Sequence, residues 1–184
     1  MTLQQTMALM SFELVPDLPE DDQFELLSIR NQQIIRESSY SSHLIEDNEH
    51  LQWIEQLQSD PTILFYAVKF DGDIIGGAGL RKIDKEAGTA DWSFYVSELA
   101  HGKGVGLALG VRALDIFFDQ LKLSTVTGEA LINNKASNAY HQKLGFKKVA
   151  QQEHLVLPAN ELAEIAVFSL KKEEWKAHRA ALCV

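Results

Sequence analysis

The chain has 184 residues, 46% of them hydrophobic, and 17 Lys and Arg against 26 Asp and Glu give a formal net charge of -9. That length and apolar content suit a single globular domain over residues 1–184. The acidic balance opposes binding to a nucleic-acid backbone or an anionic membrane surface. No apolar run reaches membrane-spanning length, and the one cysteine, Cys183, leaves neither an intrachain disulfide nor a thiol cluster for a metal.

The opening stretch, MTLQQTMALMSFELVP, has no basic region ahead of a long apolar one. No export signal is read there, and a cytoplasmic location is expected. Residues 12–15 read as a short strand. Apolar residues recur every three or four positions over 22–30 and 46–58, which predicts two amphipathic helices. Residues 62–70 and 74–83 flank Asp71-Gly72-Asp73, and an Asp-Gly pair between apolar runs predicts a hairpin. The aromatic run over 89–96 extends that meander by another strand.

From Trp92 to Gly110 the chain reads WSFYVSELAHGKGVGLALG, an extended segment followed by Gly102, Gly104 and Gly106 and then a helix over 104–121. Glycines at the start of a helix let backbone N–H groups approach an anion, and the free amides of the first turn carry partial positive charge. A phosphorylated ligand is therefore expected on the backbone of His101, Gly102, Lys103, Gly104, Val105 and Gly106, with Lys103 free to meet a phosphate charge. A strand over 123–132, a helix over 134–144, two strands over 146–156 and 163–170, and a final helix over 172–181 docked by Trp175 complete an α+β pattern. No repeat or linker divides the chain.

HGKGVG after an aromatic strand, then NKASNAYHQKLGF one strand later, resembles the GNAT acetyltransferase superfamily over nearly the whole chain. In that family the loop runs Arg or Gln, two residues, Gly, one residue, Gly or Ala. Gly104 and Gly106 match it, and His101 takes the leading place. Asn134, Ser137, Gly145 and Phe146 follow the second motif, in which His141 stands where the family has tyrosine. The resemblance implies a mixed, mostly antiparallel central sheet of about seven strands flanked by helices. It also implies acetyl-CoA as co-substrate, no metal, a backbone oxyanion donor at Tyr95 or Val96, and Asn134 along the pantetheine arm, where its side chain equally suits a helix N-cap.

IRNQQIIRESSY, EHLQWIEQL, ADWSFY, ASNAYHQKLGF and FSLKKEEW further resemble the N-acetyltransferases of bacterial pseudaminic-acid synthesis. That branch implies a small-molecule acceptor, the C4 amine of a UDP-linked 4-amino-4,6-dideoxy sugar. Arg30, Asn31, Arg36, Tyr40, His50 and Trp53 would then form the acceptor wall. Arg30 or Arg36 would clamp the diphosphate, and Tyr40 or Trp53 would stack on a base or sugar.

Acetyl transfer from a thioester needs a proton acceptor for the amine and a proton donor for the thiolate. His141 is the first candidate donor, since an imidazole titrating near 6.5 can protonate a thiolate whose conjugate acid lies near 8.5. Tyr140, about 100° away on the same helix, is the alternative. Glu129 is the candidate base, with Asp91 or Glu46 as substitutes. His43 and His50 with Glu46 and Asp47 have no recognised metal spacing.

A Rossmann dinucleotide site is disfavoured because residues 97–101 separate the strand from the glycines. A non-catalytic acyl-CoA module and acetyl transfer to a protein N-terminus, polyamine or aminoglycoside remain as alternatives. The oligomeric state is open, with a homodimer as one candidate.

Overall fold

The computed structural model describes residues 1–102 and 104–182. Lys103, expected at the phosphate loop, and Cys183 lie outside the described residues. The chain opens with helix α1 (Leu3–Ala8), which the apolar periodicity does not announce. Its signal is a capping box: the Thr2 N–H donates to Gln5 Oε1 at 2.9 Å, and the Gln5 N–H donates to Thr2 Oγ1 at 3.2 Å.

Strand β1 (Met10–Leu14) leads to helices α2 (Glu20–Arg30), α3 (Gln33–Glu37) and α4 (Asp47–Ser59). Strands β2 (Leu64–Phe70) and β3 (Asp73–Asp84) form the hairpin expected around Asp71-Gly72. Strand β4 (Thr89–Val96) has the limits that the sequence predicts.

Helix α5 (Val105–Asp115) is shorter than the expected run to residue 121, because it opens into a π-helical turn over Ile116–Gln120. The Leu121 N–H reaches back five residues to the Ile116 carbonyl at 3.0 Å. The wider turn places Phe117 and Phe118, neighbours in sequence, both in the core. Strand β5 (Thr125–Leu131), helix α6 (Lys135–Lys143), strands β6 (Lys147–Val156) and β7 (Glu161–Lys171) and helix α7 (Lys172–Ala181) follow.

The seven strands form one sheet in the order β1-β2-β3-β4-β5-β7-β6, antiparallel everywhere except between β4 and β5. Alternation along β4 sends Ala90 and Trp92 into one core and Tyr95 toward the other. The larger core holds Leu109, Leu114, Phe117, Phe168 and Trp175, on the side of α1, α5, α6 and α7. The smaller joins Val15, Leu26, Ile54 and Phe65, on the side of α2, α3 and α4. Trp175 is buried and donates Nε1–H to Asp115 Oδ1 at 3.1 Å, so the last helix is docked. No helix among the described residues is long and apolar enough to cross a membrane.

Candidate active site

The central feature is a gap in the sheet. Strands β4 and β5 pair only at Thr89 with Thr125, Ala90 with Val126 and Asp91 with Thr127. Beyond that point β4 stays with β3 as far as Val96 opposite Gly76, and β5 stays with β7 as far as Leu131 opposite Ile165. The two strands follow different partners and separate. The Ser97 N–H is taken by the Ile75 carbonyl at 2.7 Å. Amides alternate along an extended strand, so Tyr95 also turns its N–H toward β3 while Val96 turns its own into the gap.

At the mouth of this gap Gly102 and Gly104 adopt φ values of +76° and +73°, and Gly104 is the N-cap of α5. A Cβ on either would meet no heavy atom within 4 Å, so the space above these amides is open to a ligand. The Ala108 N–H makes the first helical bond, to the Gly104 carbonyl at 3.3 Å, which leaves the amides of Val105, Gly106 and Leu107 at the helix start for an anion. The first turn of α5 carries no acidic side chain. His101 is exposed on the same loop.

Helix α6 packs over the larger core beside the gap. Asn134 caps it, accepting from the Ser137 N–H at 3.0 Å, which is the structural role that the sequence allows for it. Tyr140 donates its hydroxyl to the Gly106 carbonyl at 2.6 Å, which puts the phenol against the first turn of α5. Burial raises its ionisation above the ordinary range for tyrosine, so the hydroxyl keeps its proton.

His141 departs from the expectation of an accessible acid. It is 1% exposed, and both ring nitrogens are engaged. Nδ1 faces the Ser137 carbonyl at 2.8 Å, and Trp92 donates Nε1–H to Nε2 at 3.1 Å. A carbonyl can only accept and an indole can only donate, so the proton belongs on Nδ1 and Nε2 has none to give. Burial pushes the imidazole down to about 4. The ring stacks on Phe168 at 4.6 Å and packs edge-on to Phe146. Gly128 on β5 makes room, since a Cβ there would lie 2.5 Å from both His141 Nε2 and Trp92 Nε1.

On the opposite face of the sheet, beside the smaller core, Asp91, Thr127 and Glu129 form a polar cluster. Tyr40 donates its hydroxyl to Glu129 Oε2 at 3.0 Å. Asp91 accepts from the Thr127 hydroxyl and pairs with Lys82 at 2.8 Å. The ring of Tyr40 stacks on His154 at 4.1 Å. Of the six acceptor-wall candidates, only Tyr40 projects into this cluster.

Of the other five, four are held in loop or core contacts, and Arg30 keeps a buried Nη1 with no hydrogen-bond partner among the described residues. Arg36 donates Nε–H to the Asn31 carbonyl at 3.0 Å and Nη1–H to the Ser42 carbonyl at 2.5 Å. Arg30 reaches the Ser41 carbonyl, and the Asn31 amide pairs with both the N–H and the carbonyl of Ile45 at 2.9 Å. These side chains satisfy the backbone of a loop that has no ladder of its own. His50 is buried with Nε2 on the Gln23 carbonyl at 2.9 Å, and Trp53 packs on Phe65 in the smaller core. Sequence reasoning missed Gln32, which accepts from the Glu98 N–H and donates to Ser97 Oγ, fixing the turn out of β4. Among the described residues no group of three or more His, Cys, Asp or Glu is placed to hold a metal ion.

Residues 14–147 match the model of the acetyltransferase (GNAT) domain. The chain belongs to the GNAT acetyltransferase family. It is an N-acetyltransferase whose donor is acetyl-CoA, and the open glycine amides at the start of α5 fit a pyrophosphate. The chain is 26% identical over 129 residues to the SPbeta prophage-derived N-acetyltransferase YokL of Bacillus subtilis, covering 70% of this chain and 73% of that one. Its fold is similar to that of the spermidine N-acetyltransferase of Vibrio cholerae in complex with CoA and spermine, with TM-score 0.81, 16% identity, 92% of this chain and 99% of that one covered. A dodecameric structure of spermidine N-acetyltransferase from Vibrio cholerae matches with TM-score 0.73 and 17% identity over 91% and 96% of the two chains.

Proposed function

We propose that this GNAT enzyme acetylates the primary amine of a small cationic acceptor that enters over Glu129, while acetyl-CoA lies along the gap between β4 and β5. The observation that carries the acceptor class is Glu129 itself. Its Oε2 is held by Tyr40 while Oε1 accepts no hydrogen bond among the described residues. An amine arrives protonated at neutral pH, and a carboxylate both attracts the ammonium and takes its proton.

Acetyl-CoA supplies the thioester carbonyl and a thiol leaving group. The Val96 N–H, aimed into the gap, stabilises the negative charge that develops on the carbonyl oxygen. Glu129 accepts one proton from the ammonium. The second nitrogen proton, released as the amide forms, replaces the proton that a neighbouring acid gives to the departing sulfur. Tyr140, protonated and beside the first turn of α5, is the hydroxyl donor for that step in place of His141. The pyrophosphate rests on the amides of Val105, Gly106 and Leu107.

Spermine, named as the ligand of a relative with the same fold, is a cation of the expected kind. The UDP-linked amino sugar is the second reading. It draws on the family resemblance and on Arg81, exposed near Tyr40, as a guanidinium for a diphosphate. It loses the support of Arg36, whose Nε–H and Nη1–H are taken by backbone carbonyls.

Thiol release from acetyl-CoA with spermidine, a UDP-4-amino sugar, an aminoglycoside and peptides with free N-termini tests both readings. Turnover on cationic small amines that collapses in Glu129→Gln supports the first. Selective turnover of the sugar nucleotide overturns it in favour of the second.

A further inference from the structure

The contact between Tyr40 and Glu129 joins positions 89 residues apart. The loop carrying Tyr40 is tied to the tip of the β6–β7 hairpin. The Leu157 N–H donates to the Tyr40 carbonyl at 2.8 Å, and the Ser42 N–H donates to the Leu157 carbonyl at 3.0 Å. From the helix side, Arg36 holds the Ser42 carbonyl. The ring of Tyr40 is backed by His154 at an interplanar angle of 19°. The phenol is thus fixed from the loop, the hairpin and the ring face, and its hydroxyl ends on Glu129.

A glutamate has three side-chain torsions, and holding one rotamer costs entropy unless a partner supplies a hydrogen bond. Tyr40 supplies it to one oxygen only. Burial and the Glu129 carboxylate raise the ionisation of Tyr40, so its hydroxyl remains a donor. Arg81, Lys82 and Asp91 also face this cluster, and Lys82 is already paired with Asp91.

We propose that Tyr40 is a positioning residue for acetyl transfer: its hydroxyl anchors Glu129 Oε2 so that Oε1 faces the incoming ammonium. This rests on the reading of Glu129 as the proton acceptor. The ring face of Tyr40 toward His154 is already occupied, which leaves only the other face for stacking on a ligand.

The test is steady-state kinetics with spermidine and acetyl-CoA on the full chain, for wild type, Tyr40→Phe, Glu129→Gln and the double variant, with thermal midpoints to show that each is folded. Tyr40→Phe is expected to lower kcat/KM for the amine about tenfold and leave the KM for acetyl-CoA unchanged. It is expected to cost nothing further in the Glu129→Gln background. His154→Phe, which preserves the ring stack, is expected to retain most activity. Wild-type kinetics in Tyr40→Phe, or the same loss with and without Glu129, would overturn the proposal. Glu129→Gln with wild-type turnover would remove the base itself and the proposal with it, an outcome distinct from failure of Tyr40 alone.

Discussion

Trp92 and His141 share a buried hydrogen bond, the indole Nε1–H donating to imidazole Nε2 at 3.1 Å over the bare backbone of Gly128. It converts the position where the family has tyrosine into a packing element. The consequence for catalysis is direct, because an imidazole that accepts on Nε2 cannot donate from it.

His141→Ala is expected to destabilise the fold by about 2–4 kcal/mol, from the cavity it leaves and the unpaired indole N–H. Turnover per folded molecule should stay within about tenfold of wild type. Gly128→Ala should cost about 1–3 kcal/mol by forcing the pair apart. Denaturant titration and kcat on the same samples check both, and a near-normal stability with abolished turnover in His141→Ala would restore its place as the acid.

The same residue predicts an acid-sensitive fold. Burial holds the His141 imidazole down at about 4 against an ordinary 6.5. Between those values the unfolded chain takes up a proton that the native state refuses. The stability contribution is therefore present above about pH 6.5 and is lost as pH falls toward 4, up to about 3 kcal/mol from this group. Comparing wild type with His141→Gln at pH 7 and pH 5 isolates the effect, and equal losses in the two would contradict it.

Tyr140→Phe should lower kcat about a hundredfold with little change in acetyl-CoA affinity, because proton delivery to sulfur belongs to the transition state. A rise in the KM for acetyl-CoA with unchanged kcat would instead make the hydroxyl a binding contact.

Gly104→Val should weaken acetyl-CoA binding about tenfold or more, since a β-branched residue at φ +73° strains the start of α5 by about 1–2 kcal/mol. Gly104→Asn, which tolerates that region, should be milder. Calorimetric titration gives both values, and equal affinities would place the phosphates elsewhere.

The local parts of this structure were legible in the sequence. The Asp71-Gly72 turn, the limits of β4 and the helix opening at Gly104 depend on neighbours within a few residues, as does the Asn134 cap. The parts that depend on distant chain segments were not. Arg36 looks like a ligand-binding guanidinium until its N–H groups are seen to meet the carbonyls of Asn31 and Ser42. His141 carries the spacing of an acid, and only the fold brings Trp92, Phe146 and Phe168 around it. The divergence of β4 from β5 leaves no local signature, because it follows from the pairing of each strand with a different neighbour.

The measurement closest to the central claim is a titration of isotope-labelled protein with acetyl-CoA, followed through backbone amide resonances. Acetyl-CoA seated in the gap between β4 and β5 should shift Val96 together with Val105, Gly106 and Leu107 most strongly, with Tyr140 responding through its hydroxyl. Saturable shifts that spare Val96 and the start of α5 would contradict the account.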